Sequence, residues 1–534
     1  LAFNENIGFS HFVSIGSMLD IDFGDMIDYL GNDPKVKSIL LYIESLTNFR
    51  KFMSAARSVS RIKPIIVLKS GTSAAGAKAA ASHTGAMAGE DAVYDTAFKR
   101  AGIVRVNTIE ELFDCAELMA KQAHPSGSRL AIITNGGGPG VMATDALAKH
   151  GHEPAVLDVD TMDELNAILP PFWSHGNPID ILGDASPDVF SNTLKACLKS
   201  KSMDGVLVIL APQALTEPLS VAQGLVDTLK SRKYPVIACW MGGKTIQKAV
   251  DHLNQAGIPT YDTPERAVRA FLYMVEYKKN LEMLLEIPPK MIRHIKVDKK
   301  KVETLFSKVQ VNDFMPEADA KQVLSAYGLP VLESKTAATL SEASRIGKTM
   351  GYPLVMKLLS PDISHKTDAG GVLLDLRNDT DVCNAFDRIM SSAHQYKPDA
   401  RLEGVSIQSY CLNPDFEILM GAKRDPNFGP VILFGMGGIY TEILKDRALG
   451  LPPMNRLLAR RLMQETKVYQ LLKGYRNRLP ADMELLEEMI VRLSQLLIDF
   501  PQIGELDMNP ILIKNSKNMA VDARILISKT DIPT

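Results

Sequence analysis

Two histidines occupy loops of small residues built on the same Ser-His pair: Ala81-Ser82-His83-Thr84-Gly85, and Ile363-Ser364-His365-Lys366-Thr367-Asp368-Ala369-Gly370-Gly371. A neutral imidazole is a competent nucleophile toward phosphorus, and the phosphoramidate it forms keeps enough transfer potential to pass the group onward. Small neighbours let phosphate approach. The pair points to a phosphoryl relay, although a histidine in a short motif is by itself more often structural or exposed.

Other residue patterns would serve the same chemistry. Lys357 ends an apolar strand after Gly351-Tyr352-Pro353, where a flexible ammonium can reach phosphates as a point charge. The backbone of Gln408 to Tyr410 could pair with an adenine edge. Asp507-Met508-Asn509-Pro510 is followed by Asp522, thirteen positions after Asn509. Two oxygen ligands on neighbouring short strands, completed by water and nucleotide phosphates, suit Mg²⁺; an isolated Asp-x-Asn-Pro would instead be a turn. The loop Thr134 to Val141, with Asn135, Gly136, Gly137, Gly138 and Gly140, follows a strand and opens a helix. Its free amides and helix dipole make an anion site, or else a tight strand-to-helix turn.

The elements around these residues set the fold class. At 534 residues the chain exceeds one core. From residue 10 to about 280, short β-branched runs alternate with longer amphipathic stretches, which predicts two doubly wound α/β domains with parallel sheets. Strands are expected at 39–43, 64–68, 130–134, 205–210 and 235–240, and the polar stretch Lys121 to Ser128 divides the region. Residues 281 to 312, with a Leu/Glu/Lys helix, Pro288-Pro289 and four lysines in Lys296 to Lys301, are expected to be an exposed connector. Beyond residue 313 the rhythm is mixed α+β: strands at 330–332, 354–357, 405–408 and near 417–421, long helices at 455–472 and 482–499, and short apolar runs at 511–513 and 519–521.

Lys+Arg 60 against Asp+Glu 62 gives a formal charge of −2, which excludes a basic footprint for nucleic acid. No apolar run approaches the roughly 20 residues that cross a bilayer. Five scattered cysteines with no C-x-x-C pair indicate neither a disulfide framework nor structural zinc, and fit a reducing cytoplasm.

Several segments together resemble the ATP-grasp domain of ADP-forming acyl-CoA synthetases: Gly351 to Val372, Gly421 to Val431, Gly435-Met436-Gly437-Gly438-Ile439-Tyr440-Thr441-Glu442, and Glu505 to Pro510 with Asp522. Upstream, Ser70 to Tyr94 resembles the phosphohistidine segment of the same family, which includes succinyl-CoA synthetase. The resemblance implies that His83 is the phosphorylated residue, that Glu44 steadies it, and that His365 carries the phosphoryl group onward. It also implies that Lys357, Gln408 and Glu442 serve the nucleotide and that Asn509 and Asp522 hold Mg²⁺. The Gly136 to Gly140 helix would aim its N-terminus at the phosphohistidine. Taken alone, Glu44 would be an exposed strand-end acid. The loops Asn177-Pro178-Ile179-Asp180 and Pro212 to Thr216 resemble recurrent loops of the second domain. Trp240, His150, His152 and His175 are expected to be packing or surface residues.

The domain map this implies is 1–124, a flavodoxin-like domain with the phosphohistidine loop; 125–287, a second flavodoxin-like CoA-ligase domain; 288–312, a linker; and 313–534, ATP-grasp. The activity implied is an acid–CoA ligase using ATP/ADP, Mg²⁺ and CoA, as a homo-oligomer. Direct phosphoryl transfer needs reacting atoms within about 3 to 3.5 Å, so a relay solves the separation of sites on different domains. The family begins with a CoA-binding Rossmann domain and a Ser-Gln-Ser-Gly turn, and Leu1 is expected to fall inside the helix after that turn, which leaves the CoA site upstream. Two alternatives are an acyl-CoA-sensing portion of a larger GNAT-type protein acetyltransferase and a nucleotide-binding scaffold without turnover.

Overall fold

A computed structural model describes residues 7–73, 75, 90–214, 216–229, 234–285, 297–363, 366–438, 446–476, 478–515 and 517–529. The chain forms two compact units, Leu1–Glu286 and Ile287–Thr534.

The first unit carries two parallel sheets. Strands β1 (Ile39–Ile43), β2 (Ile65–Lys69) and β3 (Val104–Val106) pair in the order β1-β2-β3. Strands β4 (Leu130–Thr134), β5 (Ile179–Asp180), β6 (Gly205–Leu210), β7 (Val236–Trp240) and β8 (Thr260–Tyr261) pair in the order β5-β4-β6-β7-β8. That order is the flavodoxin one, with its topological switch between β4 and β6. Every residue of β2, β4, β6 and β7 is buried, as expected of strands covered on both faces.

The structure has the two parallel sheets expected here, and a shared hydrophobic cluster joins one face of each. Ile66, Leu68, Val104 and Val106 pack in the same cluster as Leu130, Ile132, Leu207 and Ile237. The helix Pro264–Leu285 fastens both halves. Its Arg266 forks onto Asp114 at 2.7 Å twice, Tyr277 Oη donates to Ser60 O at 3.1 Å, and Asn280 Nδ2 donates to Ile103 O at 3.2 Å.

The second unit holds two antiparallel sheets. Strands β9 (Ser334–Ala337), β10 (Leu354–Leu359), β11 (Val372–Leu376) and β12 (Gly404–Ser409) are ordered β11-β10-β12-β9. The second sheet is built of β13 (Phe416–Asp425), β14 (Gly429–Met436), β15 (Arg447–Gly450), β16 (Ile503–Lys514) and β17 (Lys517–Ala520), ordered β15-β14-β13-β16-β17. Strand β18 (Arg524–Ile527) also pairs with β16.

Three expectations change. The lysine-rich part of the connector is a helix, Lys299–Phe306, whose Val302, Leu305 and Phe306 enter the core of the second unit, so its charges mark one solvated face of a packed helix. Residues 330–332 make one isolated bridge, Val331 to Ala520, and no strand. The helix expected over 455–472 is two, Arg456–Gln464 and Val468–Leu472, because the Asp446 carboxylate accepts from the Lys467 and Val468 amides, both at 2.7 Å, and starts a second helix there. Among the described residues no helix is long and apolar enough to cross a membrane.

Candidate functional site

In the first unit the loops after β4, β5 and β6 converge at the C-terminal ends of the strands, where open α/β sheets bind ligands. Asn135 is buried, and its amide is spent on the backbone of one residue: Nδ2 donates to Ala211 O at 2.9 Å and Oδ1 accepts from Ala211 N–H at 2.8 Å. Asn135 therefore ties the β4 and β6 loops together across the switch point. The helix Gly137–Lys149 starts from Gly136 with no side-chain cap, which leaves the exposed Gly137 and Gly138 at its positive end. Gly140 has a packing role. A Cβ there would lie 3.0 Å from Thr134 Cγ2 and 3.1 Å from Pro178 Cβ, so its small size seats the helix on the sheet.

Asn177 fixes the neighbouring loop by accepting from Ile132 N–H at 2.9 Å and donating to Leu130 O at 2.9 Å and Ala155 O at 2.8 Å. His175 is structural: its ring lies 4.8 Å from that of Trp173, and its nitrogens are 3.0 Å from Asn166 Oδ1 and 2.9 Å from Pro171 O.

Glu44 lies half-buried just past β1, within electrostatic reach of Lys69 at the end of the adjacent β2. Lys69 is a partner that inspection of the sequence missed. It is buried, donates to Ser70 O and stands 4.8 Å over the Tyr94 ring. Burial lowers its basicity, and Asp91 and Glu44 oppose that shift. The one signal available was a lysine closing the otherwise apolar run Ile65 to Leu68. His83 lies outside the described residues, as do His365 and Glu442.

The second unit assembles a denser site. Lys357 on β10 points into it, 3.2 Å from Glu317 Oε1 and 3.4 Å from Asp522 Oδ2. Glu317, in the first turn of the helix Glu317–Ala326, also receives Lys321 at 3.0 Å and Lys366 at 2.9 Å. Burial would raise the Glu317 carboxyl, but Lys357, Lys366 and Lys321 outweigh it and hold the group well below the usual carboxylate range. Lys321 donates in turn to Gln408 Oε1 at 2.7 Å. Gln408 thus enters through its buried side chain. Its backbone lies between Val355 on β10 and Ser334 on β9, inside the sheet.

Asn509 and Asp522 come together as expected. Ile511 pairs with Ala520, and the Val521 amide donates to Pro510 O at 3.1 Å, which sets Asn509 opposite Asp522 on antiparallel chain segments. Asn509 Oδ1 accepts from Gly438 N–H at 3.2 Å. That contact brings in the glycine segment after β14, where a Cβ on Gly437 would lie 2.5 Å from the Ile418 carbonyl and Gly438 has φ +73°. Asp507 is a neighbour the sequence did not single out as a ligand. Burial, then the carboxylates of Asp522 and Glu505, push it up to about 6. The side-chain oxygens of Asn509 and Asp522 are of the kind a hard divalent cation takes, while no group of three or more His, Cys, Asp or Glu placed to hold a metal occurs among the described residues.

The fold defines a class: two flavodoxin-like parallel sheets in the first unit, followed in the chain by a unit of two antiparallel sheets. Residues 1–119 match the succinyl-CoA ligase-like flavodoxin domain, 130–279 the Ligase-CoA domain and 308–527 the ATP-grasp domain. The chain is 38% identical to an ADP-forming acetate–CoA ligase of Archaeoglobus fulgidus and 37% identical to an ADP-forming 4-hydroxybutyrate–CoA ligase of Nitrosopumilus maritimus. Each alignment covers 98% of this chain and 75% of the relative. A solved acetyl-coenzyme A synthetase 1 of Ca. Korarchaeum cryptofilum, in complex with phosphate and ADP, superposes with a TM-score of 0.51 at 38% identity. That match covers 53% of this chain and 62% of that one, so the chain spans less than two thirds of the solved structure. The chain belongs to the ADP-forming acetate–CoA ligase family.

Proposed function

We propose that the protein interconverts acyl-CoA, ADP and phosphate with a carboxylic acid, CoA and ATP through phosphorylated histidines. One observation carries the reading: the second unit gathers the ammonium groups of Lys321, Lys357 and Lys366 beside the oxygen pair Asn509 and Asp522. A site with surplus positive charge next to oxygen-only ligands is suited to a metal-bound nucleotide polyphosphate. Relatives similar over 98% of the chain are named as ligases of acetate and of 4-hydroxybutyrate, so the shared chemistry is carboxylate, CoA and ADP. This favours a ligase over an acyl-CoA-sensing portion of an acetyltransferase or a scaffold without turnover.

Labour divides along the chain. Residues 1–124 and 125–287 handle the acyl and phosphate end, and residues 313–534 handle the nucleotide. Phosphate enters against the Gly137 and Gly138 amides and displaces CoA from the acyl thioester; the acyl phosphate so formed passes its phosphoryl group to His83 and leaves as the carboxylate. Glu44 orients that imidazole and stabilises its positive charge. His365 takes the group next and delivers it to ADP, whose phosphates Lys357 holds. Mg²⁺, held by Asn509 and Asp522, would neutralise the nucleotide phosphates. In Pyrococcus furiosus, relatives of the two parts are separate α and β subunits, 39% and 43% identical to this chain. A cytoplasmic location is supported by the five free cysteines.

The test is a phosphoenzyme assay. Labelled Mg-ATP should give an acid-labile, base-stable phosphoprotein. His83→Ala should lose the stable label, and His365→Ala should still bind ATP yet fail to pass label to His83. Undiminished labelling of His83→Ala rules out His83 as the stable site, and normal labelling of His365→Ala means transfer is direct.

A further inference from the structure

Glu317 has an unusual number of partners for one buried carboxylate. Its side chain is 4% exposed, yet Oε1 receives Lys321 and Lys357 and Oε2 receives Lys366. One negative charge cannot neutralise three ammonium groups. Asp522 supplies a second from the site's rim, its side chain 43% exposed and 3.4 Å from Lys357. Were Asp522 turned to a metal, two positive charges would stand unbalanced in a largely desolvated cluster, an arrangement that needs an anion. A second observation points the same way. Gln408 is buried and gives Oε1 to Lys321, while its Nε2 has no hydrogen-bond partner among the described residues. Such a donor is expected to be completed by an acceptor.

We propose that Glu317 is a stand-in for nucleotide phosphate: without nucleotide it holds Lys357 and Lys366 in place, and on binding Lys366 leaves Glu317 for a phosphate oxygen. The inference rests on the reading of this site as the nucleotide site. It adds Lys366 as a phosphate ligand and Glu317 as a positioning residue. Exposure separates the lysines. Lys366 is 25% exposed and is free to swing, whereas Lys321 is 4% exposed and stays fixed between Glu317 and Gln408. Lys366 also directly follows His365 in the chain.

The test uses the full chain, with Mg-ATP and adenosine as probes in melting and calorimetry. Glu317→Gln removes the competing charge. Its melting temperature without nucleotide should fall, and the rise produced by saturating Mg-ATP should exceed that of the unaltered protein. Adenosine, which has no phosphates, should give the same rise in both. A purely structural Glu317 would leave the Mg-ATP rise unchanged, and an unchanged or smaller rise overturns the proposal. Should Glu317→Gln not fold, Lys366→Met decides. Its Mg-ATP affinity should drop about tenfold, the scale of one charge-assisted hydrogen bond, with adenosine affinity unaltered. Equal Mg-ATP affinity overturns the proposal. Lys357→Met separates the two levels of argument. If it leaves Mg-ATP binding intact, the nucleotide reading of the site fails. If it abolishes binding while Glu317→Gln and Lys366→Met behave like the unaltered protein, the stand-in role alone fails.

Discussion

Lys357 Nζ stands 3.4 Å from Asp522 Oδ2, so one ammonium group links β10 of the first antiparallel sheet to the turn after β17 of the second. The proposed cation ligand and the proposed phosphate ligand are thereby neighbours before anything binds. Asp522→Asn should weaken Mg-ATP binding about tenfold or more while leaving the fold intact, because one coordinating charge is lost from a half-exposed side chain. Calorimetry with Mg-ATP, and with ATP in excess chelator, measures it. Equal Mg-ATP affinity would remove Asp522 from the metal site.

Asp158 caps the helix Val159–Ile168, accepting from Thr161 N–H at 2.8 Å and from Ser200 Oγ at 2.5 Å. The Ser200 and Thr161 hydrogen bonds lower its carboxyl to about 2. A lowered folded-state value stabilises above the ordinary value of 3.8 and is lost as pH falls through about 2. Asp158→Ala should therefore cost about 1 kcal/mol near neutrality, and the gap to the unaltered protein should close toward pH 2. Urea unfolding followed by tryptophan fluorescence reads this unit, since Trp173 and Trp240 are the chain's two tryptophans. A gap that is constant with pH would show that the charged cap contributes nothing.

Asn177→Ala removes three hydrogen bonds that tie the β5 loop to β4 and Ala155. The expected loss is about 2 kcal/mol, the range for leaving part-buried backbone groups without partners. An unchanged urea midpoint would mean that water replaces all three.

Strands were legible because their signals are local. The β-branched runs at Ile39 to Ile43 and Gly205 to Leu210 fall where they should, and Lys357 stood out as the cation of an apolar strand, although β10 runs on past it to Leu359. Partnerships across the chain were not legible. Glu317 and Lys321 read as ordinary residues of an amphipathic helix, and their importance lies in lysines and an amide on β10, β12 and the segment between β10 and β11. The break between Arg456–Gln464 and Val468–Leu472 likewise depends on Asp446, a cap supplied from about twenty residues upstream that no local propensity encodes. The sequence thus singled out Lys357, Asn509 and Asp522 without the Glu317 carboxylate that gathers the lysines.

The amide of Asn135 meets the backbone of Ala211 through both its donor and its acceptor, so the β4 and β6 loops are held together by a two-point contact. Those loops form the walls of the crevice beneath Gly137 and Gly138. If Gly137 and Gly138 hold phosphate as proposed, an arriving anion would meet loops already tied to each other, which would keep the entropic cost of binding small. The same tie would act on release, since loops held to each other are less free to close over a guest. A phosphoryl group at this place would then stay open to the next acceptor.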